Sequence, residues 1–582
     1  MKNVLDKIEM IFKKKKEVRQ PWYDFYGKQT PHLDYPDYSM YELIHQTALK
    51  YPNYIAIEYY KNKATYKEFM RLIDKYAKSL KALGVQIGDV ITICMPNTPS
   101  SIYMFYAINK IGAIANMVHP MSSEKEIELY LNMTKSKYIL IIDAVYKKID
   151  NIVKNTNVEK IIISFPNDDM KVVMSSLYWF MKGRKNKVKT NDNTITLKQF
   201  LDLGINYKEE TYVERKGSDV AVILYSGGTT GEPKGIMLSN LNFNAVAYQA
   251  EFMCDPASAG DSILSIMPIF HAFGLGVCVH TILYIGMKCI LIPSFSPKKF
   301  GSMIKYYRPN FLVGVPTLFE ALLKTKRMGK KDLSSLTCII SGGDSLSPSL
   351  KKKVDEYLNE HGCKTKVREG YGLTESTGPS CLCPSLFYKE GTIGIPFPDT
   401  IYKIIRVGTH DEADILEDGE ICISGPTIML GYLNDEKETM NAIRMHEDGK
   451  YYLHTGDIGC MDKDGFIFFK YRLKRMIVSS GYNIYPSYIE NVIDAHPAVL
   501  TSTVIGIDHP YKVQVAKAYI VLKEGYKPTH EIKKSIKEHC IKNLAKYSIP
   551  YEFEYRDNLP RTKVGKVDYN NLLEEEKNKN RR

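Results

Sequence analysis

Seven short runs of β-branched and aliphatic residues recur through the first two thirds of the chain, with helix-forming sequence between them. They are VITICMP (90–96), YILIID (138–143), KIIIS (160–164), VAVILYS (220–226), KCILIP (288–293), FLVGVP (311–316) and LTCIISGG (336–343). Strands this uniformly apolar have to be covered on both faces, and amphipathic stretches such as Ser349 to Glu360 can supply the cover. The expected fold class is therefore α/β, with a large N-terminal domain of layered α/β subdomains on mainly parallel sheets. From about Asp399 the pattern shifts to shorter strands and turns, including the hairpin signal Asp464-Gly465, and this predicts a β-rich subdomain. After Lys474 the pattern predicts a small α+β unit, with strands at 504–507 and 517–522 and a helix from His530 to Lys542. Its highly charged tail is expected to fray. At 582 residues a single core is excluded.

The fourth run leads directly into YSGGTTGEPKGIML (225–238), which holds four glycines, three Ser or Thr hydroxyls and one lysine. A glycine-rich turn after a strand presents backbone N–H groups and hydroxyls to phosphate. The nucleoside-triphosphate loop that places lysine directly after its last glycine is excluded. Here Gly231 is followed by Glu232-Pro233-Lys234-Gly235, and the chain contains no Gly-Lys-Ser or Gly-Lys-Thr. Pro233 and Gly235 argue against a helix at this point and for a flap carrying Thr229, Thr230 and Lys234. For the loop taken alone, a polar surface turn stays open as the alternative.

The net charge of +13 (79 basic against 66 acidic residues) favours anionic partners. No basic helix or zinc-ligand spacing points to nucleic acid, so nucleotide, coenzyme or an anionic membrane face fits better. Eleven cysteines lack regular spacing, so neither disulfide nor metal roles are expected of them and a reducing, cytoplasmic setting follows. The N-terminus, MKNVLDKIEMIFKKKKEV, lacks the order of a signal peptide. Ser262 to Met287 carries no Asp, Glu, Lys or Arg and is long enough to span a bilayer. Pro268, His271, Gly274, Gly276 and His280 interrupt it, and a buried strand-loop-helix unit is expected instead.

Further stretches follow in a fixed order: MPIFHAFG (267–274), YGLTES (371–376), GEICISGPTIMLGY (419–432), YLHTGDIG (452–459), YRLKRMIVSSGYNIYPSYIE (471–490) and LPRTKVGKV (559–567). Together with the glycine-rich loop they resemble the acyl-adenylate-forming family, which includes acyl-coenzyme A synthetases, luciferases and peptide-synthetase adenylation domains. The resemblance runs from about residue 40 to 570. It implies that a carboxylate attacks the α-phosphorus of ATP, releasing pyrophosphate and leaving an acyl-adenylate that coenzyme A then cleaves. Attack of an anion on an anion demands positive charge and positioned donors.

On this resemblance Ser226, Thr229, Thr230 and Lys234 wrap the β- and γ-phosphates, and Gly227 and Gly228 belong to the same nucleotide-binding loop. Glu375 is the Mg²⁺ ligand, Thr374 an α-phosphate contact and Tyr371 the wall beside adenine, with Gly343 and Gly372 as further nucleotide contacts. Asp457 corresponds to the family's ribose-binding acid and Arg472 to a second ribose or phosphate contact. Lys566 matches a mobile lysine that bridges the α-phosphate and the attacking carboxylate, and Thr230, Glu375 and Lys566 are the implied catalytic residues. The acyl pocket is expected at His271, Gly314, Val315 and Gly342, and Gly481 beside a coenzyme A tunnel. Lys474 falls on the hinge, dividing the chain into an adenylate-forming domain (1–470), a hinge (471–475) and a mobile domain (476–582).

Tyr471, Arg475, Tyr488 and the pair Val513-Gln514 depart from the residues common in the family, Gly-Glu in the last case. These departures bear on coenzyme A handling and domain motion more than on adenylation. Gly227-Gly228 and the insert between Phe165 and Gly204 resemble the long-chain fatty-acyl subgroup. The implied reaction is ligation of a fatty acid to coenzyme A. A medium-chain or aromatic acid, another acceptor, or a nucleotide-binding homologue without catalysis stay open as alternatives. Within the insert, LYWFMKGRKNK (177–187) sets Trp179 beside basic residues and no acids, a mixture suited to the inner, anionic face of a membrane. Val4, Ile8, Ile11 and Phe12, ahead of Lys13 to Lys16, form a second candidate anchor.

Overall fold

The computed structural model describes residues 20–27, 31–171, 191–226, 233–254, 257–479, 482–509, 511–562 and 565–579. Every one of the seven apolar runs contains a strand: Val90–Cys94, Tyr138–Ile142, Lys160–Ser164, Val220–Ser226, Lys288–Leu291, Phe311–Gly314 and Cys338–Ser341. Among the described residues they fall into two sheets of eight and nine strands. Six neighbouring strands of the first, from Val220–Ser226 to Thr194–Thr196, are parallel, and Lys234–Ser239 adds to one edge as an antiparallel hairpin partner. The expected flap thus lies between two paired strands, Lys234 belongs to the second of them, and residues 227–232 lie outside the described residues. In the second sheet Arg368–Leu373, Cys338–Ser341, Phe311–Gly314, Ser262–Ser265, Lys288–Leu291 and Ile55–Tyr59 run parallel, with antiparallel strands outside them.

Between and around the sheets lie helices whose sequences match their burial. Pro99–Lys110 starts with a Thr98/Ser101 capping box and proline at the first helical position, and all twelve of its residues are buried. Helix Asn240–Met253 touches Lys234–Ser239 of one sheet and Gly378–Leu382 of the other, so it ties the two together. The uncharged stretch from Ser262 to Met287 folds as a strand, a loop and a helix, with the helix buried nearly throughout. No helix among the described residues is long and apolar enough to cross a membrane. Phe273–Thr281 is wound as a π-helix, a form that concentrates at functional sites.

Inside this layer His280 is held from both sides. Tyr106 Oη lies 3.0 Å from Nδ1, and Nε2 lies 3.0 Å from Asn244 Oδ1, whose own amide donates to Tyr38 O. Nε2 is therefore the donor and Nδ1 accepts from the tyrosine, which leaves the ring neutral. Burial pushes the His280 pKa down to about 3. The unfolded chain protonates this histidine below about 6.5 while the folded chain does not, so its contribution is complete above that pH. It is lost at about 1.4 kcal/mol per pH unit as pH falls toward 3. His280→Gln, which keeps one donor and one acceptor, is expected to flatten the acid limb of stability in denaturant titrations. An unchanged slope refutes the assignment.

The β-rich region forms an antiparallel sheet of Ile401–Ile405, Gly419–Ser424, Tyr451–Met461 and Ile443–Met445, joined by Ile467–Arg472. Asp464-Gly465 turns the chain between the last two long strands, with Gly465 at φ +85°. The C-terminal unit has its own sheet and an apolar cluster of Ile477, Ile489, Ile493, Val504, Ala518 and Ile536. Its strands Val499–His509 and Val513–Leu522 and helix His530–Asn543 contain the expected elements.

The tail corrects the expectation of fraying. Tyr569–Lys579 is a helix whose Leu572 packs with Ile505, Tyr519 and Val521. One turn on, the buried Glu576 meets Lys517 Nζ at 3.0 Å and Tyr519 Oη at 2.8 Å. Leu572 and Glu576 share a helix face, so one apolar and one ionic contact anchor a segment that reads as solvated. All eleven cysteines are buried and none is in a disulfide.

Val513, at the start of its strand, adopts φ +69° and is exposed. A β-branched residue in the left-handed region carries a strain of about 1–2 kcal/mol. Val513→Gly is expected to stabilise the protein by about 1 kcal/mol after glycine's entropic cost. Chemical denaturation tests this, and a less stable variant would contradict it.

Candidate functional site

Loops at the ends of the parallel strands, the 220–239 hairpin, the β-rich sheet and the C-terminal unit surround a cavity of about 1240 Å³. Ser226, Lys234, His271, Gly342, Gly343 and Tyr371 line it, as do Gly372, Thr374, Glu375, Asp457, Arg472 and Lys566. Gly314 and Val315 are not part of its wall. A Cβ on Gly314 would meet Leu318 at 2.4 Å, and Val315 is buried beside Gly343 and Gly565. Gly227, Gly228, Thr229, Thr230 and Gly481 lie outside the described residues. The Lys474 backbone sits in the short turn Leu473–Arg475, and its side chain lies outside the description.

Ser226 and Lys234 are cross-strand partners at the base of the glycine-rich tip. Lys234 forms an ion pair with Glu438, and its Nζ stands 4.8 Å from the centre of the Tyr432 ring. Tyr432 Oη in turn donates to Glu375 Oε1 at 3.2 Å. Glu375 belongs to the single turn Thr374–Ser376, which follows strand Arg368–Leu373 and is pinned by Ser376 Oγ accepting from Leu373 N at 3.0 Å. Gly372 permits this geometry, because a Cβ there would lie 1.7 Å from Gly378 O.

Asp457 and Arg472 face each other across strands Tyr451–Met461 and Ile467–Arg472. Arg472 donates to both carboxylate oxygens, through Nε at 2.7 Å and Nη2 at 3.3 Å, and Tyr371 Oη donates to the second at 2.7 Å. Asp457 is completely buried, whereas 42% of the Arg472 side chain is exposed. The Asp457 carboxylate raises the Arg472 pKa, and burial, followed by that same carboxylate, raises that of Tyr371.

Lys566 reaches this cavity from the C-terminal unit. Thr562 N donates to Lys566 O at 2.7 Å and Gly565 N to Thr562 O at 2.9 Å, closing a tight turn with Gly565 at φ +86°. Thr317 Oγ1 donates to Gly565 O at 3.4 Å, and Arg561 pairs with Glu320 at 3.2 Å, so the turn is fastened to helix Pro316–Leu323. Burial lowers the Lys566 pKa, while Asp344, Asp457 and Glu375 oppose the shift and Arg472 adds to it. His271 is driven down to about 3, by burial first and by Lys566 second, and stays neutral at physiological pH. The site therefore sets cations from three separate segments around one space, with a neutral imidazole beside it.

Two of the atypical residues have partners within or next to the C-terminal unit. Tyr471 stacks on Tyr485 with centroids 4.0 Å apart, and Arg475 Nη2 donates to Glu490 Oε1 at 2.7 Å while its guanidinium lies 3.6 Å from the Tyr569 ring centre. Tyr488 is exposed. Glu320, Arg561, Tyr432 and Glu438 line the cavity without having been read as site residues. Arg561 lies within LPRTKVGKV and Tyr432 ends GEICISGPTIMLGY. Glu320 carried one signal, a single acid in the otherwise apolar helix PTLFEALL.

Residues 44–433 match the AMP-binding enzyme family and residues 488–566 match the AMP-binding enzyme C-terminal domain. A long-chain-fatty-acid–CoA ligase of Bacillus subtilis is 32% identical over 567 residues, covering 96% of this chain and 99% of the relative. A probable 4-coumarate–CoA ligase of Dictyostelium discoideum is 28% identical, covering 86% and 89%. Among solved structures, the o-succinylbenzoate CoA synthetase of Bacillus subtilis in complex with its acyl-adenylate intermediate superposes with TM-score 0.75 at 26% identity, covering 93% of this chain and 98% of that one. Fold, motif order and near full-length similarity agree, and the chain belongs to the AMP-binding enzyme family.

Proposed function

We propose that this protein is an ATP-dependent acid–thiol ligase that converts a fatty acid to its coenzyme A thioester through an acyl-adenylate, releasing pyrophosphate and AMP. The observation that carries the reading is the meeting of Lys566, from the C-terminal unit, with Asp457, Arg472 and Glu375 around one cavity. Similarity to ligases named for long-chain fatty acids supports the choice of acid.

In this reading Asp457 and Arg472 hold the ribose, Tyr371 walls the adenine, and Thr374 meets the α-phosphate. Ser226 and Lys234 serve the terminal phosphates together with residues 227–230. Lys566 steadies the charge that develops between α-phosphate and carboxylate. His271 and Gly342 border the acyl group, and their neutrality suits it. Glu375 fits a hard cation, since it is an oxygen donor at the cavity wall with one carboxylate oxygen engaged by Tyr432. Bound there, Mg²⁺ would supply positive charge to phosphate oxygens. For the second half-reaction, residues 476–582 act as a mobile domain turning on a hinge at 471–475 relative to residues 1–470, with Gly481 beside the coenzyme A path.

Pyrophosphate release measured across acids of increasing chain length, and across an aromatic acid, with and without coenzyme A, tests the proposal. Release that depends on long acids is expected. Release only with the aromatic acid would assign the protein to that substrate class, and no acid-dependent release would make it a nucleotide binder.

We also propose that residues 177–187 dock on anionic lipid, a segment outside the described residues. Trp22 is buried, at 1% exposure, so any vesicle-dependent change in emission reports on Trp179. A blue shift that weakens with salt is expected, because the lysine contribution is screened over about 8 Å at physiological ionic strength. No shift at low salt would refute docking.

A further inference from the structure

We infer that Cys422, His446 and His454 form a binding site for one divalent transition ion of the zinc class, with Glu420 orienting a ligand. The spacing of the three residues in sequence gives no hint of this. Cys422 and His454 are cross-strand partners in the β-rich sheet, and His446 stands at the turn entered from strand Ile443–Met445. Their ligand atoms all lie within 4.8 Å of one another. Nε2 of His446 is 3.0 Å from Nε2 of His454, and Cys422 Sγ lies against the same His454 ring, 3.5 Å from its Nδ1, the nitrogen that Glu420 engages.

The surroundings fix the rings. Glu420 Oε2 is 2.8 Å from His454 Nδ1, while its other oxygen accepts from Gly456 N at 2.9 Å, so the carboxylate cannot swing away. A proton on Nδ1 shared with this carboxylate leaves the Nε2 lone pair of His454 facing His446, the carboxylate–histidine relation that orients metal-bound imidazoles. The His446 ring is stacked on Tyr452, with centroids 4.4 Å apart and planes 25° from parallel. Lys403, the neighbouring cation, is engaged by Glu412 and Asp448 at 2.7 and 3.2 Å.

One thiol and two imidazoles select zinc-like ions over Mg²⁺ or Ca²⁺, which prefer oxygen, and three protein ligands leave a fourth position for water. Binding releases the thiol proton to solvent, since a coordinating sulfur is a thiolate. Glu420 also holds Gly456, next to Asp457, so an ion here stiffens the strand that carries the proposed ribose acid. The competing occupant of the gap is a single proton, shared as a hydrogen bond between the two Nε2 atoms.

The test is titration of the chelator-treated full-length protein with Co²⁺, which needs neither nucleotide nor acid and so stands or falls apart from the ligase reading. One equivalent is expected to produce thiolate-to-cobalt charge-transfer absorption that Zn²⁺ abolishes. Cys422→Ser should remove that band, and His446→Gln should weaken binding at least about tenfold. Cobalt held at Glu375 would give no such band, because that ligand has no sulfur. Absence of the band in folded wild-type protein overturns the inference, as does a band unchanged in both variants. If Cys422→Ser does not fold, His446→Gln decides the matter, since it alters a partly exposed turn outside the core.

Discussion

Lys566→Ala is expected to lower acid-dependent pyrophosphate release by about 10²–10³-fold, the usual cost of losing one positioned charge at a reacting centre. Thioester formation from pre-made acyl-adenylate and coenzyme A should stay within a few-fold of wild type. The asymmetry follows from how the lysine is held. Its turn belongs to the C-terminal unit and meets the large domain through Thr317 and the Arg561–Glu320 pair, contacts that a moving domain can release. On the proposed reading, in which the C-terminal unit moves between the two steps, Lys566 serves only the half-reaction carried out in this arrangement. Burial lowers its pKa while the carboxylates of Asp344, Asp457 and Glu375 oppose that shift, so alanine removes a cation that these three acids favour at the cavity wall. Measuring both half-reactions on one preparation separates this role from a general loss of fold. Equal loss of both would remove Lys566 from its assigned role.

Parallel strands covered on both faces advertise themselves as unbroken apolar runs, and all seven appear here as strands. Pro233 and Gly235 marked the absence of a helix after the fourth run, but the return strand Lys234–Ser239, which takes in Lys234 of the expected flap, was not read from the sequence. What local pattern could not convey was structure imposed by distant partners. The π-winding of Phe273–Thr281 occurs where the helix passes close to Pro268, such that a Cβ on Gly274 would lie 2.0 Å from Pro268 O. The tail helix is held by Lys517, an interior lysine that no periodicity marks. At the site, the described residues assigned from the ordered motifs line the cavity, as do Gly342 and Gly343 at the end of an apolar run, whereas Gly314 and Val315, expected beside them in the acyl pocket, pack behind the wall. Cys422, His446 and His454 became neighbours through strand register alone, a relation that linear spacing does not encode.

Replacing Arg472 by methionine is expected to destabilise the protein by about 3 kcal/mol at neutral pH, because the carboxylate of Asp457 is left buried without its counter-charge. Tyr371 Oη would be its one remaining side-chain partner among the described residues, at 2.7 Å. The reverse substitution should be milder. Arg472 is partly exposed, so Asp457→Asn leaves a guanidinium that water can reach and keeps an oxygen to accept from Tyr371 and the arginine. Combining Asp457→Asn with Arg472→Met should therefore restore at least about 1 kcal/mol relative to Arg472→Met alone, by removing the orphaned charge. Denaturant titration of the four proteins closes the cycle, and nucleotide binding followed in parallel should be lost in both variants that lack the arginine. A single variant as stable as wild type would show that the pair carries no net stability. A double variant no better than Arg472→Met would trace the loss to packing of the arginine stem rather than to the buried carboxylate.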